Sequence, residues 1–166
     1  MSAKRILVAG IGNIFFGDDG FGVEVSRRLA GRALPEGVRV VDFGIRGFDL
    51  TFALLEGYDA VVLVDVVQRG GQPGTLYVVE PELDPQPESG DVCVETHGME
   101  PGKVLALARA MGGRLDLLRL VACEPLTFGE DGMGLGLSPP VEAAVEPAIE
   151  LVQSVVAGLR EERAHA

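Results

Sequence analysis

The chain has 166 residues, of which 47% are hydrophobic and 23% charged, and its 14 Lys and Arg against 25 Asp and Glu give a formal net charge of −11. This length and apolar content predict one folded domain over residues 1–166 and argue against a disordered chain. The acidic balance, without a cluster of Lys or Arg, argues against nucleic acid and against a membrane as partners, because both attract a positive face.

Five short apolar runs have the length of β-strands, at residues 6–9, 38–41, 60–67, 76–79 and 117–122. The first three are nearly continuous Val, Ile, Leu and Ala, which is typical of parallel strands that are covered on both faces. Helical spacing follows the first run at residues 21–32 and the second at residues 48–55. Strands that alternate with helices predict an α/β sheet.

The third and fourth runs are joined by only seven residues, 68–74, which include three glycines and a proline. A parallel crossover needs about a dozen residues or more, so the fourth strand is expected to run antiparallel. The following segment, residues 81–95, is acidic and rich in proline, and it is predicted to be a long surface loop.

Two later helices have recognisable starting points. Pro101 stands where a first helical turn would begin, directly after the segment that contains His97. Ser138 is expected to cap the last and longest helix, with Pro139 and Pro140 in its first turn. Apolar residues then recur on one face of that helix, at Val141, Val145, Ile149, Val152, Val156 and Leu159.

The first strand leads into a glycine-rich turn that also contains Asp18 and Asp19. A dinucleotide fingerprint would need glycine at position 15, where Phe15 stands, and two carboxylates at a helix start would repel a pyrophosphate. One of the two acids is explained by helix capping. Two adjacent acids exceed what a cap requires, so the turn is a candidate for chemistry.

Asp65 interrupts an apolar run near the carboxyl end of the third strand, where a carboxylate is costly unless it is paired or coordinated. Ligands of open α/β sheets bind beyond the carboxyl ends of the strands, which both Asp19 and Asp65 should reach. Of the two histidines, His165 lies in the charged C-terminal tail, which leaves His97. Together Asp19, Asp65 and His97 would form a mixed oxygen and nitrogen set suited to zinc or nickel.

The residues alone leave other kinds of site open beside a metal site. Asp18 or Asp19 could pair with Asp65 as an acid and base dyad, and sequence does not separate that pair from metal ligation. A nucleotide-binding α/β domain ranks last, although Asp42 at the end of the second strand suits it. Cys93 and Cys123 are interpreted as inert free thiols of a cytoplasmic protein without a secretory leader.

The chain resembles the hydrogenase maturation endopeptidases over nearly its whole length. The segments that carry the resemblance are Gly10-Ile11-Gly12-Asn13, Gly17-Asp18-Asp19-Gly20-Phe21-Gly22, residues 59–65 ending in Asp65, Thr96-His97-Gly98, and Gly136-Leu137-Ser138-Pro139. The resemblance implies a three-layer α/β/α sandwich with a five-stranded, mostly parallel sheet and one antiparallel strand. It also implies that the positions that contact metal in the family fall on Asp19, Asp65 and His97.

The activity implied by the resemblance is removal of a C-terminal extension from the precursor of a NiFe hydrogenase large subunit after nickel insertion. Nickel would be supplied by that precursor, no organic cofactor is expected, and the enzyme is expected to be a cytoplasmic monomer. Arg46, in a loop that departs from the usual Gly-Gly-Thr type, bears on substrate choice. Water would be activated through the metal or by a carboxylate acting as general base. The alternative is a nickel-binding, chaperone-like module that recognises the same precursor without cutting it.

Overall fold

The structure, a computed structural model, describes residues 2–81, 100–129 and 136–162. Five strands form one sheet in the order β2-β1-β3-β5-β4, with β4 antiparallel to β5 and every other pairing parallel. Their bounds are Ile6–Ile11 for β1, Val38–Gly44 for β2, Ala60–Val66 for β3, Leu76–Val79 for β4 and Leu118–Cys123 for β5. The predicted antiparallel fourth strand is confirmed.

Four α-helices cover the two faces of this sheet. They are α1 at Phe21–Ala30, α2 at Gly47–Leu54, α3 at Pro101–Ala110 and α4 at Pro139–Glu161. Buried residues of α1 and α4 pack on one face, and those of α2 and α3 pack on the other. The three-layer α/β/α architecture is therefore confirmed. In the part of the chain that is described, no helix combines the length and apolarity that crossing a bilayer requires.

The interior strand β1 is buried at every position, which explains its continuous apolar sequence. Ile6 and Val8 face the layer of α1 and α4, whereas Leu7 and Ala9 face the layer of α2 and α3. Because side chains alternate along a strand, a strand covered on both faces has no polar positions.

The predicted apolar stripe of α4 is buried along its whole length, and Pro147 lies inside this helix without ending it. Ion pairs tie its outer surface to α1, from Arg28 to Glu142 and from Arg32 to Glu146, each at 2.6 Å. Helix α1 ends at Ala30, two residues earlier than the predicted end of residue 32, and Gly31 forms its C-cap.

The strand order places a topological switch point between β1 and β3. From β1 the chain passes to β2 on one side, and β3 then pairs on the other side of β1. Connections leave the carboxyl ends of these two strands in opposite directions, which opens a crevice there. The fold therefore puts the residues that follow β1 and those that end β3 at the same mouth of the sheet.

Candidate functional site

Asp19 lies on a single 3-10 turn, Gly17–Gly20, between β1 and α1, which we call the aspartate turn. Its Oδ2 accepts the backbone amide of Asn13 at 2.8 Å, and only 8% of the residue is exposed. A Cβ at Gly12 would lie 1.8 Å from the carbonyl oxygen of Asp19. Glycine at position 12 therefore lets the end of β1 contact the aspartate turn directly.

Asp18 points away from Asp19 into the protein, and the prediction that one of these acids caps a helix is wrong. Neither the aspartate turn nor α1 has a side-chain cap. Asp18 is fully buried, and its carboxylate accepts four hydrogen bonds of 2.7 to 3.0 Å from the loop between β5 and α4. The donors are the amides of Leu126, Thr127 and Ser138 and the hydroxyl of Ser138.

Ser138 occupies the N-cap position of α4 as predicted, but its side chain does not cap the helix. The hydroxyl donates to Oδ2 of Asp18 at 2.8 Å instead. In a cap the hydroxyl oxygen would accept a backbone amide, whereas here the hydroxyl donates to a buried carboxylate, which is a charge-assisted hydrogen bond. Ser138 therefore joins the start of α4 to the aspartate turn.

Asp65 is the second-to-last residue of β3, and it is half-buried at the mouth of the sheet. The pKa of Asp65 is raised well above the usual range of an aspartate, mainly because the side chain is buried. A hydrogen bond from the amide of Val66 lowers this pKa in part, and the charge of Asp19 raises it further. The aspartate turn also contacts β3. The structure thus brings Asp19 and Asp65 together, and a cation between them would relieve both burial and repulsion.

His97, the third predicted ligand, lies outside the described residues, as do Cys93 and most of the acidic loop predicted at residues 81–95. Within residues 2–81, 100–129 and 136–162, no three His, Cys, Asp or Glu side chains come together as a metal site. Of the three predicted metal-contacting residues, Asp19 and Asp65 are therefore the two that the described part of the chain contains. Cys123 is a buried free thiol, as predicted.

A cleft of about 240 Å³ adjoins the aspartate turn, between the loops that follow β1 and β2. Its lining includes Gly12 and Asn13, which contact Asp19. Exposed apolar side chains lie on the same loops and on the outer face of α2, at Ile14, Phe15, Ile45, Phe48 and Phe52. Phe15 is 68% exposed and Phe48 75% exposed. Large apolar side chains that remain in water beside a cleft are typical of a surface that binds a protein.

Arg46, which was predicted to bear on substrate choice, lines this cleft but is engaged by its own loop. Its guanidinium donates to the carbonyl oxygens of Asp42 and Phe43 and forms an ion pair with Asp49 at 3.3 Å. Asp42, the residue that suited a nucleotide site, pairs with Arg27 at 3.2 Å. Arg46 therefore holds the shape of the loop after β2.

Glu124 is a buried acid that sequence reasoning missed. It follows β5 directly and accepts the amides of Arg69 and Gly70 and the hydroxyl of Tyr77, at distances of 2.9 to 3.1 Å. This carboxylate fixes the turn that reverses the chain between β3 and β4. Its signal in the sequence was an acid at the carboxyl end of an apolar run, the same signal that identified Asp65.

Comparison with known proteins places this chain in one class of enzyme. The family model described as hydrogenase maturation protease matches residues 23–155. The chain is 32% identical to the hydrogenase 2 maturation protease of Escherichia coli, over 95% of this chain and 92% of that protein. It is 34% identical to the hydrogenase expression/formation protein HupD of Bradyrhizobium diazoefficiens, over 93% and 79%.

A solved structure gives the same result. The hydrogenase maturating endopeptidase HybD from E. coli superposes with a TM-score of 0.76 at 30% identity, and 93% of each chain is covered. The chain described here therefore belongs to the hydrogenase maturation protease family. Its class of activity is that of an endopeptidase.

Proposed function

We propose that this endopeptidase removes the C-terminal extension of a NiFe hydrogenase large-subunit precursor after nickel has been inserted. The nickel bound in the precursor is part of the substrate, and Asp19, Asp65 and His97 contact it. This contact places the scissile peptide bond at the mouth of the sheet. We further propose that the enzyme is a cytoplasmic monomer and that it uses no organic cofactor.

The observation that carries the proposal is the convergence of Asp19 and Asp65 at the switch point between β1 and β3. Burial and the charge of Asp19 raise the pKa of Asp65, so this pair of carboxylates is at a disadvantage until positive charge arrives. A cation carried in by the substrate supplies that charge. Two protein carboxylates with one imidazole form an oxygen and nitrogen ligand set that suits nickel and leaves coordination positions for groups of the substrate.

The cleft beside the aspartate turn supports the proposal that the substrate is itself a folded protein. Its apolar rim, at Ile14, Phe15 and Ile45, offers a binding surface next to the carboxylates. Because the ion pairs of Arg27 and Arg46 in this cleft are made with Asp42 and Asp49, the charges around it are locally balanced. Recognition of the precursor then relies on apolar contact at the rim and on nickel at the carboxylates.

The test is to incubate nickel-loaded and nickel-free large-subunit precursor with the wild type and with Asp19→Ala, Asp65→Ala and His97→Ala, and to follow the mass of the precursor. We expect a loss of mass only with nickel-loaded precursor and wild type. Equal processing by all four proteins would contradict the roles of these residues. Binding of the precursor without any change in its mass would instead favour the chaperone-like alternative.

A further inference from the structure

We infer that Asp18 is a positioning residue: it clamps the loop between β5 and α4 to the aspartate turn and so sets where the carboxylate of Asp19 lies. The expected effect of Asp18 on kcat rests on the proposed function, because in that function the position of the Asp19 carboxylate determines its contact with the nickel of the substrate. It does not require Asp18 to touch the substrate or its metal.

The clamp is a fully buried carboxylate with complete hydrogen bonding. Oδ1 of Asp18 accepts the amide of Ser138 at 2.7 Å, and Oδ2 accepts the amides of Leu126 and Thr127 and the Ser138 hydroxyl at 2.8 to 3.0 Å. The donors come from both ends of the loop that joins β5 to α4. One side chain therefore fixes where this loop leaves the sheet and where it enters the last helix.

The backbone strengthens the same contact in the opposite direction. The amide of Asp18 donates to the carbonyl oxygen of Thr127 at 3.0 Å. Gly17 has φ of +54°, and a Cβ there would lie 2.9 to 3.0 Å from backbone atoms of residues 127–129. Glycine at this position thus permits contact between two main chains. The aspartate turn and residues 126–129 therefore form one connected unit.

Asp19 lies on the other side of the same turn. Its Oδ2 accepts the amide of Asn13, and its carbonyl oxygen lies against Gly12 at the end of β1. Asp18 and Asp19 are joined by one planar peptide bond, so a shift of the Asp18 backbone moves Asp19 as well. The turn is thereby fixed from two sides, by β1 through Asp19 and by the loop after β5 through Asp18.

Only a carboxylate meets the demands of this position. Its two oxygens accept from donors on both sides at once, whereas an asparagine side chain would direct its own NH₂ group at one set of donors. Asp18→Asn keeps the size of the side chain but leaves buried amides without an acceptor. Glu124→Gln is a matched control, because Glu124 is also buried and accepts two amides and one hydroxyl, but it holds the turn before β4 instead.

The experiment compares wild type, Asp18→Asn, Glu124→Gln and Ser138→Ala for thermal stability, for kcat and KM with nickel-loaded precursor, and for hydrogen exchange of individual amides. Both carboxylate variants should lose stability. Asp18→Asn should lower kcat about tenfold or more with little change in KM, because small displacements of a reacting group are costly. Glu124→Gln should keep kcat close to that of the wild type.

Hydrogen exchange locates the defect without relying on activity. The amides of Leu126 and Thr127, or that of Ser138, should exchange faster in Asp18→Asn, depending on which set of donors faces the new NH₂ group. Those of Arg69 and Gly70 should exchange faster in Glu124→Gln. If Asp18→Asn does not fold, Ser138→Ala removes a single donor to the same carboxylate and should show a smaller loss of kcat with faster exchange at the amides of Leu126 and Thr127.

The outcomes separate this inference from the proposed function. A wild type that fails to process nickel-loaded precursor contradicts the proposed function. An active wild type with equal kcat values for Asp18→Asn and Glu124→Gln overturns the inference and leaves the function intact. Unchanged exchange at all of Leu126, Thr127 and Ser138 in Asp18→Asn, or at Leu126 and Thr127 in Ser138→Ala if only that variant folds, overturns the clamp whether or not the wild type is active.

Discussion

Asp19 and Asp65 reach one mouth of the sheet from different elements, and they interact electrostatically. Burial is the larger cause of the raised pKa of Asp65, and the charge of Asp19 adds to it while the amide of Val66 partly offsets it. The folded chain therefore holds a carboxylate whose charged form is unfavourable in the free protein. This cost is the kind that functional sites carry, because it is recovered when a ligand of opposite charge binds.

Asp65→Asn should make the free protein more stable at neutral pH and abolish processing. The pKa of Asp65 is higher in the folded state than its ordinary value of 3.8, so ionisation opposes folding as the pH rises. The stability advantage of the variant should be larger at neutral pH than at acidic pH, and it should disappear as the pH falls to that ordinary value. Urea denaturation of both proteins from neutral to acidic pH, with chelator present, measures it. A variant no more stable than wild type at neutral pH would contradict the prediction.

Asp19→Asn should fold like the wild type but process the precursor about a hundredfold more slowly or worse, a loss typical of removing an electrostatic group that acts on the reaction. The amide oxygen of Asn can still accept from Asn13, so the local hydrogen bond is kept. Asp59→Asn is the matched control, because Asp59 accepts the amide of Arg5 at the opposite end of the sheet. Comparable rates for the two variants would argue against a role for the charge of Asp19.

Phe15→Ser should raise KM for the precursor about tenfold or more, since burial of a large aromatic side chain at an interface is worth about 1.5–3 kcal/mol. The residue is exposed at the rim of the cleft, so its replacement should leave thermal stability nearly unchanged. Val78→Ser serves as the control, because Val78 is an exposed apolar residue on β4, at the edge of the sheet away from the cleft. Steady-state kinetics on both variants decide the matter: equal KM values would rule out docking at this rim.

Cys123 should resist alkylation in the folded protein at pH 8. Burial, followed by the charge of Asp18, raises the pKa of its thiol to about 12, so almost none is thiolate at that pH. The measurement uses a Cys93→Ser background, in which Cys123 is the only cysteine. Mass spectrometry after iodoacetamide treatment should detect no adduct in native buffer and complete reaction in guanidinium chloride. Rapid labelling without denaturant would contradict the buried position.

Tyr77→Phe should lower the free energy of unfolding, because it removes a donor from a buried carboxylate. The lost hydrogen bond is the one from the Tyr77 hydroxyl to Glu124, at 3.1 Å. Tyr58→Phe provides the comparison, since the hydroxyl of Tyr58 meets the exposed side chains of Arg39 and Glu56 and should matter less. Urea titration of the two variants gives the difference, and a larger effect at Tyr58 would refute this account of the turn.

The parts of the fold that sequence could predict are those with local signals. The continuous apolar runs identified the strands because a strand covered on both faces has no polar positions, as β1 illustrates. The shortness of residues 68–74 predicted the antiparallel β4, since no crossover fits into seven residues. Asp65 was identified because a carboxylate within a buried strand is costly without a partner.

The parts that sequence could not predict depend on contacts between distant segments. Asp18 and Ser138 both look like helix caps, but they lie 120 residues apart in the chain and bind each other. Glu124 likewise receives donors from residues 54 and 55 positions earlier. Capping preferences describe what a polar residue does when only its neighbours are available. At these positions the fold supplies better partners, and they override the local preference.

The order of strands in the sheet has a consequence for how the chain is made. Among the strands that the structure describes, β4 pairs with β5 alone, although β3 is its neighbour in sequence, and more than thirty residues separate β4 from β5 along the chain. During synthesis, β4 therefore leaves the ribosome before β5 exists, and the position beside β3 stays open until β5 fills it. The sheet of this protein is completed from the inside outward, with a strand made earlier added last.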